Sequence, residues 1–233
     1  MHAAIGASAP VGLVVTQHVS ILQGFTMAAV SAGFALLPDL DHPRATASKA
    51  LGPIAHKAVH VLCRVAVHAT ATRRDHGAIG YLKSRKKDPY HRTLTHTLVA
   101  SVAVGALAYL LAFVLPMGSG AVAALGVLLL WPLYRKTIGL VVLGSAVTAV
   151  AATILLNPWL VGIAVTGGYL SHVVADGCTS LGVPALWPLK IKGKRWWRIR
   201  LLDSAVTSGS FQEKGPAVGV ALASNALLVL LVL

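Results

Sequence analysis

Apolar residues run along this chain in long blocks separated by short polar clusters. Residues 98–115, 138–156 and 217–233 hold 18, 19 and 17 positions without a single Asp, Glu, Lys, Arg or His. A helix needs about 20 such residues, within a range near 17–25, to cross the hydrocarbon of a bilayer. Four further stretches, 3–16, 21–37, 121–134 and 159–175, are apolar as well. Stretches 3–16 and 121–134 are short for a full crossing, which suggests tilted or re-entrant segments sheltered by neighbours. None of the blocks alternates with the two-residue period of a barrel strand, so helices are the way to satisfy their backbone in lipid. The pattern predicts an all-α fold: a polytopic transmembrane bundle of about six or seven helices, forming one membrane-embedded domain over residues 1–233. Stretches 3–16 and 21–37 read as a hairpin turning at Gln17-His18. Residues 116–120 and Asn157-Pro158 carry turn residues and no charge, as short exterior loops would.

Composition agrees. Apolar residues make up 56% of the 233 positions and charged ones 12%, against roughly 45–50% and about 25% in a soluble domain. The net charge of +13 would suit nucleic acid, but its distribution points elsewhere. Eleven Lys/Arg against two Asp fall between Arg44 and Arg92, six more between Lys190 and Arg200, and the other three are Arg135, Lys136 and Lys214. Lys and Arg concentrate in cytoplasmic loops of bacterial-type membrane proteins. With the N-terminus inside and a crossing at each of the seven segments, all 20 land on the cytoplasmic face. The expected location is therefore the inner or plasma membrane, multi-pass, with basic cytoplasmic loops at 44–92 and 184–214. Such loops attract anionic headgroups, so anionic membrane lipids are the expected partners and no specific nucleic acid is. Inside the first loop His56, His60, Arg64 and His68 recur every four residues among Ile54, Val59, Val61, Leu62 and Val65. This predicts an amphipathic helix in the membrane interface, with the histidines on a solvated face. Cys63 and Cys178 are far apart and form no CxxC, so neither a disulfide nor a zinc knuckle is expected.

Only seven Asp/Glu are present, and three abut apolar segments. Asp39 and Asp41 follow Leu36-Leu37-Pro38, and Asp176 ends the 159–175 run. Ionisable groups there are costly unless paired or coordinated, so they are functional candidates. Each has a histidine nearby: Asp39-Leu40-Asp41-His42, and His172 one helical turn before Asp176. A third cluster, His91-Arg92-Thr93-Leu94-Thr95-His96, precedes the segment at Leu98. The threading brings all three, together with His2, to the cytoplasmic ends of their helices. His172 and Asp176 share a helical face, and an imidazole beside a carboxylate suits a divalent transition metal such as zinc or manganese. The ligands suffice for one or two ions, and two-metal sites favour phosphoester hydrolysis. Each cluster also has a plainer reading. Asp41-His42-Pro43 could end a helix, His91 and His96 could contact headgroups, and His172 and Asp176 could form a buried hydrogen bond. Ser210 and Glu213 have the spacing of a capping box, with metal ligation by Glu213 as the alternative.

These stretches resemble the YdjM-like family of bacterial inner-membrane proteins, described as metal-dependent hydrolases. The resemblance is carried by Leu36-Leu37-Pro38-Asp39-Leu40-Asp41-His42-Pro43, by the His91 to His96 cluster, and by residues 168–176 continuing from Thr179 to Pro188. His2 with Gly6, and Gly209-Ser210 with Glu213, also fit in order and approximate spacing. The chain departs from the family pattern at Thr93, where a glycine is common, and at Thr97, where a serine is. The 44–92 loop is longer than the family leads one to expect. The His-x-x-x-Asp pair is also similar to zinc-dependent phospholipase C and nuclease P1 enzymes, which favours phosphoesters. Together these imply a metal-dependent hydrolase of a lipid-linked ester or phosphoester. His2, Asp39, Asp41, His91, His96, His172 and Asp176 would form the metal shell, His42 would act as acid/base or supporting group, and Arg92 would hold an anionic oxygen. The rival readings are a metal or proton transporter using the same ligands, and a membrane interaction protein using its basic loops.

Overall fold

A computed structural model describes residues 2–10, 13, 14, 18–84 and 88–201. The apolar block 217–233, Lys214, Glu213 and its cap, and the turn residue Gln17 lie outside the described residues. Among the described residues eight α-helices follow one another: α1 (His2–Ala7), α2 (Ile21–Phe34), α3 (Thr46–Thr70), α4 (Arg73–Ser84), α5 (Leu98–Val114), α6 (Gly118–Leu128), α7 (Ile138–Leu155) and α8 (Pro158–Gly177). Among the described residues there is no strand, only the isolated bridges Val183–Ile199 and Ile191–Lys194.

Among the described residues four segments are long and apolar enough to cross a membrane: Ile21–Asp41, Thr46–Thr70, Arg135–Leu155 and Pro158–Gly177. Leu98–Val114 and Gly118–Leu133 are shorter apolar helices. Of the stretch at 3–16, residues 11, 12, 15 and 16 lie outside the described residues, and α1 has six residues and rises about 9 Å. The chain reverses at residues 116–120 and at Asn157-Pro158, as the sequence suggests. Gln23 Nε2 donates to the Leu155 carbonyl at 2.9 Å, and Ser119 Oγ to that of Leu156 at 3.2 Å. The starts of α2 and α6 thus meet the end of α7 at one pole of the bundle. His2, the end of α2, the start of α5 and the end of α8 gather at the other.

Local sequence explains where the helices begin. Ser20 and Gln23 form a capping box on α2, with Ser20 Oγ accepting from the Gln23 amide at 3.3 Å and Gln23 Oε1 from the Ser20 amide at 2.8 Å. Asn157 caps α8 through the Leu160 amide at 3.0 Å, with Pro158 in the first turn, where its missing N–H costs nothing. The helices then meet through small residues. A Cβ on Gly168 of α8 would lie 2.2 Å from the Ser31 carbonyl oxygen of α2, and one on Gly33 would lie 1.7 Å from the Gly126 carbonyl oxygen of α6. In lipid the apolar side chains gain little by leaving their surroundings, so close backbone approach and interhelical hydrogen bonds hold such bundles. Ser31 Oγ supplies one of the latter to the Ala164 carbonyl at 2.7 Å. Large residues such as Phe113, Ile154 and Trp159 are exposed on the outside, as lipid-facing positions are.

The 44–92 segment refines one expectation. α3 is amphipathic, with a kink at Gly52 (φ 84°) before Pro53; Arg64 and His68 are exposed, while His56 and His60 are half-buried. His56 Nδ1 lies 3.0 Å from the Leu40 carbonyl, His60 Nε2 3.0 Å from Asp88, and His68 Nε2 3.1 Å from the Tyr90 hydroxyl. Ile54, Val61, Leu62 and Val65 are exposed as well. The polar stripe thus bonds the rest of the protein from a partly exposed position, and the apolar residues beside it face outward. The two basic loops are also joined. Asp75, buried in α4, accepts from the amides of Thr72 (2.8 Å), Arg195 (3.1 Å) and Trp196 (3.3 Å). Arg74 donates to the Lys192 carbonyl at 3.0 Å.

Candidate metal centre

Pro38 sits in the first turn of a 3-10 segment, Leu37–Asp41. A proline lacks the N–H that would extend α2, so the chain tightens here and sets two carboxylates at the pole of the bundle. Asp41 is fully buried and holds the next motif in place. Its Oδ1 lies 2.9 Å from His91 Nδ1, and its Oδ2 accepts from the Arg92 amide at 3.1 Å and from the Thr95 hydroxyl at 3.0 Å. To present that amide Arg92 adopts a left-handed conformation, φ 56°. Such a φ is uncommon for a residue with a side chain, and strain of this kind clusters at functional sites. Thr93, where the family pattern has glycine, has negative φ; the left-handed residue is its neighbour. Thr97 fills the role of the serine it replaces, accepting from the Ala100 amide at 3.1 Å to cap α5.

Asp39, His96, His172 and Asp176 converge, each offering one ligand atom, all within 4.8 Å of one another. The tautomer of each imidazole follows from its second nitrogen. His172 Nδ1 lies 2.7 Å from the Ala35 carbonyl, an acceptor only, so Nδ1 carries the proton. His96 Nδ1 lies 2.9 Å from Thr95 Oγ1, whose own proton goes to Asp41, so this Nδ1 is a donor too. Both Nε2 atoms are therefore left as lone-pair acceptors, the arrangement typical of metal-ligating histidine. They and Asp176 Oδ1 are buried without a hydrogen-bond partner. Lone pairs turned toward one another and toward carboxylates repel, and a cation at their centre removes the conflict.

The spacing fits that cation. His96 Nε2 is 3.2 Å from Asp176 Oδ2 and 3.6 Å from Asp39 Oδ1, and His172 Nε2 is 3.5 Å from each of the same atoms. Zinc bonds of about 2.0–2.2 Å at tetrahedral angles put neighbouring ligand atoms roughly 3.3–3.6 Å apart. Good N–H···O bonds are shorter, with a mode near 2.9–3.0 Å. The donor set suits zinc or manganese.

The remaining candidates surround this group. His2 stacks on His172 with ring centroids 3.8 Å apart, and its Nε2 stands 3.7 Å from Asp176 Oδ1, outside the four-atom group. Asp39, Asp41 and His91 make a second cluster of metal-ligating type. There His91 and Asp41 are already hydrogen-bonded to each other, whereas the first group leaves its atoms open. Arg92 Nε pairs with Asp176 Oδ2 at 2.9 Å, and its terminal nitrogen donates to Thr179 Oγ1 at 2.7 Å. The guanidinium therefore aims a carboxylate. His42 lies beside His91 with ring centroids 4.9 Å apart. Partial burial, with the neighbouring His91, lowers its pKa below the usual histidine value.

Sequence reasoning did not single out Thr95, Thr179 or the Ala35 carbonyl. The two threonines lie within the motif stretches and could have been suspected as hydroxyl relays. A backbone carbonyl leaves no trace in a sequence. Neither the curated proteins nor the solved structures contain a match to this chain. The family model described as YdjM inner membrane protein matches residues 1–233, and so the chain belongs to the YdjM family of inner membrane proteins.

Proposed function

We propose that the protein is a metal-dependent hydrolase acting on a lipid-linked ester or phosphoester at the cytoplasmic face of the membrane. The observation that carries this reading is the set of converging ligand atoms from His96, His172, Asp39 and Asp176 at the bundle pole, the last of these and both imidazoles fully buried. A divalent cation held there supplies Lewis acidity and an activated water at neutral pH. The chain's own groups do the rest. Thr95 and the Ala35 carbonyl orient the imidazoles, Arg92 fixes Asp176, and His42, beside His91, would move a proton. The partly exposed Asp39 carboxylate is the open side of the group. The outward apolar stripe of α3 and the basic loops favour a substrate that arrives in the membrane plane. The Lys/Arg distribution favours the cytoplasmic side.

Elemental analysis of the detergent-purified protein tests the first step, with about one equivalent of zinc or manganese expected. Asp176→Asn and His172→Ala should each weaken metal binding by more than the roughly 10–100-fold that outer-sphere changes cost. Both should also abolish turnover of lipid phosphoester substrates. Full metal content in both variants would refute the assignment.

A further inference from the structure

A second polar feature adjoins the metal group and is not used by it. A cavity of about 40 Å³ opens between α3, α4 and the second basic loop, with Arg92, Arg198, Trp196 and Asp75 on its wall and Val67 and Pro184 among its apolar lining. One water needs roughly 10–15 Å³ on this measure, so the space is that of a small oxyanion. Arg198 donates to the His91 carbonyl at 3.2 Å, which fixes the guanidinium without neutralising it. Burial, together with the charge of Arg92, pushes its pKa down to about 10. The indole N–H of Trp196 is buried and has no hydrogen-bond partner. Asp75 also stands on this wall; its carboxylate oxygens are engaged by the amides of Thr72, Arg195 and Trp196. Arg92 is already paired with Asp176, so what the cavity offers a ligand is the Arg198 guanidinium, bonded to a neutral carbonyl, and an indole donor with nothing to bond. An anion with several acceptor oxygens answers both.

The geometry points to this cavity as a binding pocket for the phosphate oxyanion of the substrate, held by Arg198 and the Trp196 indole N–H. Arg92 links the pocket to the metal group, because the side chain that lines the cavity also pairs with Asp176. The pocket deepens the hydrolase reading by naming a phosphorylated substrate, and its role in substrate binding rests on that reading. Arg198 lies 22 residues beyond Asp176, in a loop brought here by the Asp75 hub.

The test is calorimetric titration of the detergent-purified full chain with inorganic phosphate, both zinc-loaded and after chelation. A charge-assisted hydrogen bond is worth about 1.5–3 kcal/mol, so Arg198→Ala should weaken phosphate binding roughly 10–100-fold. Trp196→Phe keeps the ring stacked on Trp187 (centroids 5.3 Å apart) and loses only the donor. It should weaken binding about 3–10-fold, the value of one ordinary hydrogen bond. Both variants should keep wild-type metal content. Short-chain phosphatidic acid in micelles distinguishes the sources. Binding tighter than inorganic phosphate with the same Arg198 dependence identifies a lipid headgroup, and equal binding identifies free phosphate. Either supports the pocket. Unchanged affinity in both variants overturns it, as does phosphate binding that vanishes on chelation and ignores Arg198. The pocket is judged by phosphate affinity and the hydrolase reading by metal content and turnover, so each can fail alone.

Discussion

Thr95 offers the most revealing perturbation, because it touches the metal group only through other residues. Its hydroxyl donates to Asp41 Oδ2 at 3.0 Å and stands 2.9 Å from His96 Nδ1. Thr95→Val keeps the shape and removes both bonds. His96 Nδ1 then has no acceptor, and nothing forces the lone pair onto Nε2, where it faces Asp39 and Asp176. Losing an outer-sphere partner of this kind costs about 10–100-fold in metal affinity, or roughly 1.4–2.8 kcal/mol. Asp41 loses one of three donors but keeps the Arg92 amide and His91, so the 91–96 segment should stay in place. The assay is competition for zinc between the protein and a chromogenic chelator, with Thr95→Ser as the control that restores the hydroxyl. We expect Thr95→Val to fall in the 10–100-fold range and Thr95→Ser to stay within about threefold of wild type. Wild-type zinc affinity in Thr95→Val would refute the tautomer argument. Equal loss in Val and Ser would show that packing, and not the hydroxyl, matters at this position.

Two further outcomes follow from the bundle. Gly168→Ala places a methyl 2.2 Å from the Ser31 carbonyl oxygen, so α2 and α8 must separate; overpacking of this kind costs about 1–3 kcal/mol. The variant should melt at a lower temperature in detergent and bind zinc less tightly, since the His172–Ala35 bond spans the same two helices, and an unchanged melting temperature would contradict the close approach. For topology, single cysteines introduced near Lys194 should be protected from an impermeant reagent in intact cells while one near Gly118 is labelled; labelling at both would undo the cytoplasmic assignment.

Much of this protein is legible in its sequence, for a physical reason. Lipid forces every spanning backbone to satisfy itself, so apolar blocks such as 98–115 and 138–156 declare helices by their length and composition alone. The scarcity of carboxylates makes Asp39, Asp41 and Asp176 conspicuous, and helical spacing pairs Asp176 with His172. The ligand candidates are therefore visible as residue types in register. Their division of labour is not. Asp39 and Asp41 stand two residues apart in one tight turn, yet Asp39 faces the two imidazoles while Asp41 secures His91, Arg92 and Thr95. The histidine stripe of α3 has the same spacing whether it meets water or protein, and only the packing of α3 gave His56, His60 and His68 their partners at Leu40, Asp88 and Tyr90. Likewise, nothing local ties Asp75 to Arg195 and Trp196, or brings Arg198 to the His91 carbonyl. Periodicity reports which face of one element is apolar. Which neighbour meets that face, and which atom each imidazole presents to the metal group, depend on contacts between residues distant in the chain, and those exist only once it has folded.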